Sequence, residues 1–165
     1  MGVRRVVTGH SPDGRAIVVS DDQVAPFAIG EHGSATTVLW GRDEAGQYPD
    51  DGSPPGFAAA FPPPGGSRCA VMELAPVGDD FHQFVRTALA PWADQFDAGM
   101  HRTPSTDYNF VLEGTVGLEL DGRAEVLLEA GDIVVQNATR HRWHNRGMTV
   151  ARVLSVVIGA HDQRG

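Results

Sequence analysis

The stretch HRTPSTDYNFVLEG, residues 101–114, decides how this chain folds. It opens on an imidazole, sets a carboxylate at Asp107, and runs through an alternating segment that stops at Gly114. A period of two marks a strand with two unlike faces. Asp107, Asn109 and Val111 then share one face, and Tyr108, Phe110 and Leu112 the other. The stretch HRWHN, residues 141–145, reads the same way: His141, Trp143 and Asn145 on one face, Arg142 and His144 on the other. Two imidazoles and a carboxylate can occupy one side of a divalent metal and leave its remaining positions open.

Outward from these stretches the chain is a series of short strand-like runs punctuated by turn residues. VRRVVTG and RAIVVSDD flank SPDG and read as a hairpin. TTVLWGR and SRCAVMELA are further strands, separated by a Gly-, Pro- and Asp-rich segment, residues 43–66, that reads as a surface loop or arm. After Asp107 come YNFVLEG, VGLELDG, AEVLLEAGD, IVVQN, HRWHN and TVARVLSVVIG, with Gly114, Asp121-Gly122 and Gly131-Asp132 between them. Closely spaced short strands of this kind make a sandwich or a barrel. Residues 1–66 are read as N-terminal strands and an arm packing on a barrel core of residues 67–160, one domain overall.

One segment breaks the β pattern. Between 79 and 96, Phe81, Phe84, Val85, Ala88, Leu89, Trp92 and Phe96 fall on one stripe of a helix, with Asp79 as N-cap and Pro91 as a kink. Such a stripe either packs on the sheet or lies over the mouth of a site, since it runs straight into His101.

Composition removes several function classes. The net charge of −8 argues against nucleic acid and against an anionic membrane surface. No apolar run reaches a membrane span, and the N-terminal residues lack the apolar stretch of a secretory signal, so a cytoplasmic place is expected. The single Cys69 allows neither an internal disulfide nor a cysteine zinc site. All 13 basic residues are Arg, which leaves no lysine for Schiff-base chemistry or a phosphate-binding loop.

Residues 99–145 resemble the two motifs of the cupin superfamily. In the first, Asp107 followed by YNFVLE and Gly114 matches the acid and the closing glycine, which puts His101 at the first histidine and Thr103 at the second. In the second, Gly131-DIVVQ-Asn137-Ala-Thr139-Arg-His141-RWH-Asn145 keeps the His and the Asn, replaces the usual Pro and Gly, and shortens the turn by one residue. The resemblance implies an all-β, cupin-type double-stranded β-helix, a jelly-roll barrel, with one short helical insertion near 79–96. It also implies a homodimer.

The resemblance further implies one divalent metal ion, Zn, Fe, Mn or Ni, on His101, Asp107 and His141. Thr103 stands where the family has a third histidine, so the site is either a facial triad or a vacated polar pocket. Thr103, Asn109, Trp143 and Gln136 are the candidate pocket residues. Trp143 serves as an aromatic wall or as core, and Asn145 ties down a strand end. The implied activity is metal-dependent chemistry on a small organic molecule, similar to tailoring steps of secondary metabolism. A redox-neutral decarboxylase, dehydratase or isomerase is the first expectation. A mononuclear iron dioxygenase, or a metal-free cupin that binds a small molecule without catalysis, is the alternative.

Overall fold

The structure, a computed structural model, describes residues 2–26, 28–29, 34–57, 59–76 and 100–163. The proposed helix over 79–96 lies outside the described residues. Among the described residues the architecture is all-β. No helix there is long and apolar enough to cross a membrane.

The chain begins with a hairpin, β1 (Val3–His10) and β2 (Ala16–Val24), paired antiparallel as a sheet of their own. The SPDG turn between them closes through Ser11 and Arg15, with Gly14 at φ 79°, a conformation that suits glycine. Next come β3 (Ala28–Ile29), β4 (Ala35–Arg42), β5 (Ser67–Leu74) and β6 (Ser105–Glu113). Then follow β7 (Thr115–Leu120), β8 (Glu125–Glu129), β9 (Ile133–Asn137), β10 (His141–Asn145) and β11 (Ala151–Gly159).

These strands form two sheets. One has six strands in the order β3-β4-β5-β11-β6-β9, and the other three in the order β10-β7-β8. Their inner faces meet in one core. Leu74, Val111 and Val153 come from the larger sheet, and Val116, Leu118, Leu128 and Trp143 from the smaller. A fully buried side chain of this kind contributes about 1.5–3 kcal/mol relative to exposure. β6 hands the chain from one sheet to the other through Gly114, whose φ is 82°. A side chain at Gly114 would also collide with Ala151. The jelly-roll reading of the sequence therefore stands, and the strand faces are as the alternation implied: Asp107, Asn109 and Val111 are buried, while Tyr108, Phe110 and Leu112 are exposed.

The loop over residues 43–66 is fastened to its own chain. Arg68, on β5, is 2% exposed. Its guanidinium donates to the carbonyls of Ala59, Arg42 and Ser67 and pairs with Asp43 at 2.5 Å. The Phe57 ring lies 4.4 Å from the guanidinium carbon. Asp50 adds a bond from Arg42, and its carbonyl accepts the His10 backbone N–H.

Candidate functional site

The inner face of β6 is unusual for a barrel interior. Ser105, Asp107 and Asn109 are all buried there, and only Val111 at the far end is apolar. Thr103, just before the strand, is buried as well. Polar groups in such a place need partners. Thr103 Oγ1 and Ser105 Oγ are 2.7 Å apart, and Ser105 in turn hydrogen-bonds the Asp107 carboxyl group. Either hydroxyl of the Thr103–Ser105 pair can be the donor. Asn109 Oδ1 accepts from Ser155 Oγ on the neighbouring β11 at 2.5 Å.

The two histidines meet at the mouth of this row. His101 and His141 form an isolated antiparallel bridge, each backbone N–H donating to the other's carbonyl at 2.9 and 2.8 Å. Their rings lie 4.4 Å apart, centroid to centroid. Trp143 meets the His141 ring edge-on at 6.3 Å and belongs to the core cluster, so it is a core residue in contact with the site.

A turn of the backbone fixes the tautomer of His141. Its Nδ1 lies 2.9 Å from the Thr139 carbonyl oxygen. A carbonyl only accepts, so Nδ1 carries the proton and Nε2 keeps a free lone pair. Burial, reinforced by the nearby His101, pushes the His141 pKa down to about 3 against the pull of the Thr139 bond. The ring is therefore neutral at ordinary pH. Ala138 holds that turn at φ 52°, a left-handed conformation uncommon outside glycine.

Gln136 reaches the same carbonyl. Its Nε2 donates to Thr139 O at 3.2 Å and to Thr139 Oγ1 at 2.6 Å. The contact with an obligate acceptor fixes which end of the amide is nitrogen. Gln136 Oε1 is left buried without a hydrogen-bond partner. Directly opposite Gln136 across the β6–β9 ladder stands Asp107, whose Oδ1 is likewise buried and unpartnered. Burial raises the Asp107 pKa to about 6, and the Ser105 bond only partly opposes it.

The structure thus brings together His101 with His141, and Asp107 with Gln136, and joins the two pairs through Thr139. Among the described residues, no group of three or more His, Cys, Asp or Glu side chains is gathered to hold one ion. The donor chemistry nonetheless suits a cation. His141 offers a lone pair, His101 lies beside it, and Asp107 carries an unpartnered buried oxygen.

Outside the pocket the flanking residues have other partners. Arg142 and His144 both bind Glu119, at 2.5 and 2.8 Å. The Arg142 bond first, and the His144 bond second, hold the Glu119 carboxyl down to about 2. Arg140 pairs with Asp121 at the rim. Asn145 ties the end of β10 to the carbonyls of Leu74 and Thr149. Sequence reading did not single out Ser105, Thr139 or Ser155. Ser105 shares the parity of Asp107 and was open to the same argument. Thr139 acts chiefly through a backbone carbonyl, which carries no sequence signal.

Comparison with known proteins agrees with this architecture. Residues 92–157 match the family model described as a cupin domain. Residues 92–157 are a cupin domain. This cupin is 28% identical over 152 residues to the cupin-domain-containing oxidoreductase virC of Hypocrea virens, covering 87% of this chain and 69% of that one. It is 26% identical to the cupin-domain-containing oxidoreductase fogC of Aspergillus ruber, covering 97% and 74%. It is 33% identical over 109 residues to phomopsin biosynthesis cluster protein C' of Diaporthe leptostromiformis, covering 66% of this chain and 46% of that one. The chain therefore spans about half the length of that last relative.

Proposed function

We propose that this cupin is a cytoplasmic enzyme of secondary metabolism that transforms a small organic molecule beside His101 and His141. A single observation carries the reading. The Thr139 carbonyl holds His141 in the tautomer that leaves Nε2 open, next to a second imidazole 4.4 Å away. That carbonyl is the kind of outer partner that orients a ligating histidine. His101 and His141 would hold a divalent ion, Zn, Fe, Mn or Ni, with Asp107 as the expected carboxylate of the same site. Bound there, the ion would supply Lewis-acid polarisation of a substrate oxygen.

The chain's own residues favour a redox-neutral step, such as dehydration, decarboxylation or isomerisation. Asp107 has one oxygen open, and a hydroxyl row from Thr103 through Ser105 leads to it. A carboxyl placed so can take or return a proton on the substrate. Trp143, buried beside the His141 ring, gives that side of the site an apolar surface. A second reading, an iron-dependent dioxygenase, draws support from the names of virC and fogC, both oxidoreductases. Single-turnover assays of metal-loaded protein with and without dioxygen separate the two. The redox-neutral reading expects equal product in both, lost in His101→Ala and His141→Ala. Product formed only with dioxygen would replace it with the second reading.

We propose further that the protein is a homodimer. Tyr108, Phe110, Ile133 and Val135 expose apolar surface on β6 and on β9, an edge strand. Contiguous apolar surface of this kind suits a partner. Light scattering is expected to give twice the chain mass of 17.6 kDa; a monomer at micromolar concentration would contradict it.

A further inference from the structure

Two buried acceptors stand on adjacent strands, with no donor to either among the described residues. Asp107 Oδ1 and Gln136 Oε1 are unpartnered, both side chains are more than nine-tenths buried, and the two residues are direct neighbours across the ladder. Neither can turn away cheaply. The Gln136 amide nitrogen is held by both oxygens of Thr139, and Asp107 is held by Ser105. A buried acceptor without a donor is costly, so the arrangement calls for something that brings hydrogens. A carboxylate brings only more oxygen lone pairs and meets repulsion there.

We infer that the substrate binds through a group with two hydrogen-bond donors, a carboxamide-like or dihydroxy end, engaging Asp107 Oδ1 and Gln136 Oε1 together. The shared Thr139 carbonyl sets the contact beside His141. Gln136 is then a specificity-determining residue. The inference rests on this pocket being where substrate binds, as proposed above, but not on the metal.

The test uses benzamide, a neutral ring with an NH2 donor pair, and benzoate, which has the same shape and only acceptors. Both are titrated into the whole chain in EDTA at pH 7.5, with the Gln136 side-chain amide and the Asp107 backbone amide followed by NMR. Benzamide is expected to saturate both signals, with benzoate at least roughly tenfold weaker, the scale of one hydrogen bond lost. The net charge of −8 also opposes benzoate, so Gln136→Met, which leaves the charge unchanged, is the deciding arm. It should weaken benzamide roughly tenfold with an unaltered circular dichroism spectrum. If Gln136→Met fails to fold, acetophenone, which is neutral and has the acceptor but no donor, replaces benzoate in the wild type and must bind at least roughly tenfold more weakly than benzamide. Benzoate binding as tightly as benzamide, no saturation by benzamide up to its solubility limit, or an unchanged affinity in folded Gln136→Met would each overturn the proposal. The absence of saturation would mean that Asp107 and Gln136 satisfy one another through a shared proton. Metal loading is measured separately, so failure of either result leaves the other standing.

Discussion

His141 and Gln136 donate to the same carbonyl oxygen, that of Thr139, from Nδ1 at 2.9 Å and Nε2 at 3.2 Å. One peptide group therefore sets the tautomer of the imidazole and the orientation of the amide. It sits in a two-strand turn where Ala138 takes a left-handed conformation. The usual Pro and Gly of this turn are absent, yet the turn still performs this positioning.

The first prediction concerns the charge of His141. Its pKa in the fold is about 3, below the ordinary 6.5, because the ring is buried. The unfolded chain takes up a proton below 6.5 while the folded chain does not. Acidification from 6.5 toward 3 therefore withdraws stability. Nitrogen-15 shifts of the imidazole should report the neutral Nδ1–H tautomer from pH 8 down to about 4.5. A protonated ring at pH 6 would contradict this.

Asp107 has the opposite sign. Its pKa is raised from 3.8 to about 6, so the folded chain holds a proton that the unfolded chain has lost. Stability contributed this way is complete below about 3.8 and is lost as pH rises through 6. Asp107→Asn removes the buried charge and offers an N–H toward Gln136. In EDTA it should be more stable than the parent above pH 6, by about 3 kcal/mol at most, and nearly equal at pH 3.5. Urea unfolding at the two pH values checks this. A variant less stable at pH 8 would contradict it.

Arg68 tests how the arm over residues 43–66 is held. Arg68→Met removes the guanidinium that donates to the Asp43 carboxylate and to the carbonyls of Ala59 and Arg42. Asp43 is partly exposed, so the loss is that of a few charge-assisted hydrogen bonds, about 1–3 kcal/mol. The urea midpoint should fall accordingly, and Arg68→Lys should recover only part of the loss because it lacks the planar fork. A loss below about 1 kcal/mol would show that the arm needs no such anchor.

Much of this was legible in the sequence. The alternation around Asp107 and His141 correctly gave which residues face inward, because a strand's period is two wherever one face is buried. The closely spaced short strands pointed to a sandwich or barrel, and Asn145 read as a strand tie. The polar connections were less legible. Gln136 shows only as an inward position until its amide is seen hanging from Thr139, a backbone contact with no sequence signature. Nor does spacing reveal that Asp107 lies opposite Gln136, since register between β6 and β9 depends on the turns that join them.

The central claim is that His101 and His141 together make a metal-holding chemical centre. Its most direct measurement is metal content after dialysis of protein loaded with Zn, Fe, Mn or Ni, in the wild type, His101→Ala and His141→Ala. The account predicts about one tightly held ion per chain in the wild type for at least one of these metals. It predicts loss of that ion in both variants, as expected when one ligand of a small first-row site is removed. No retained ion in the wild type with any of the four metals, or an ion retained equally by both variants, would contradict it.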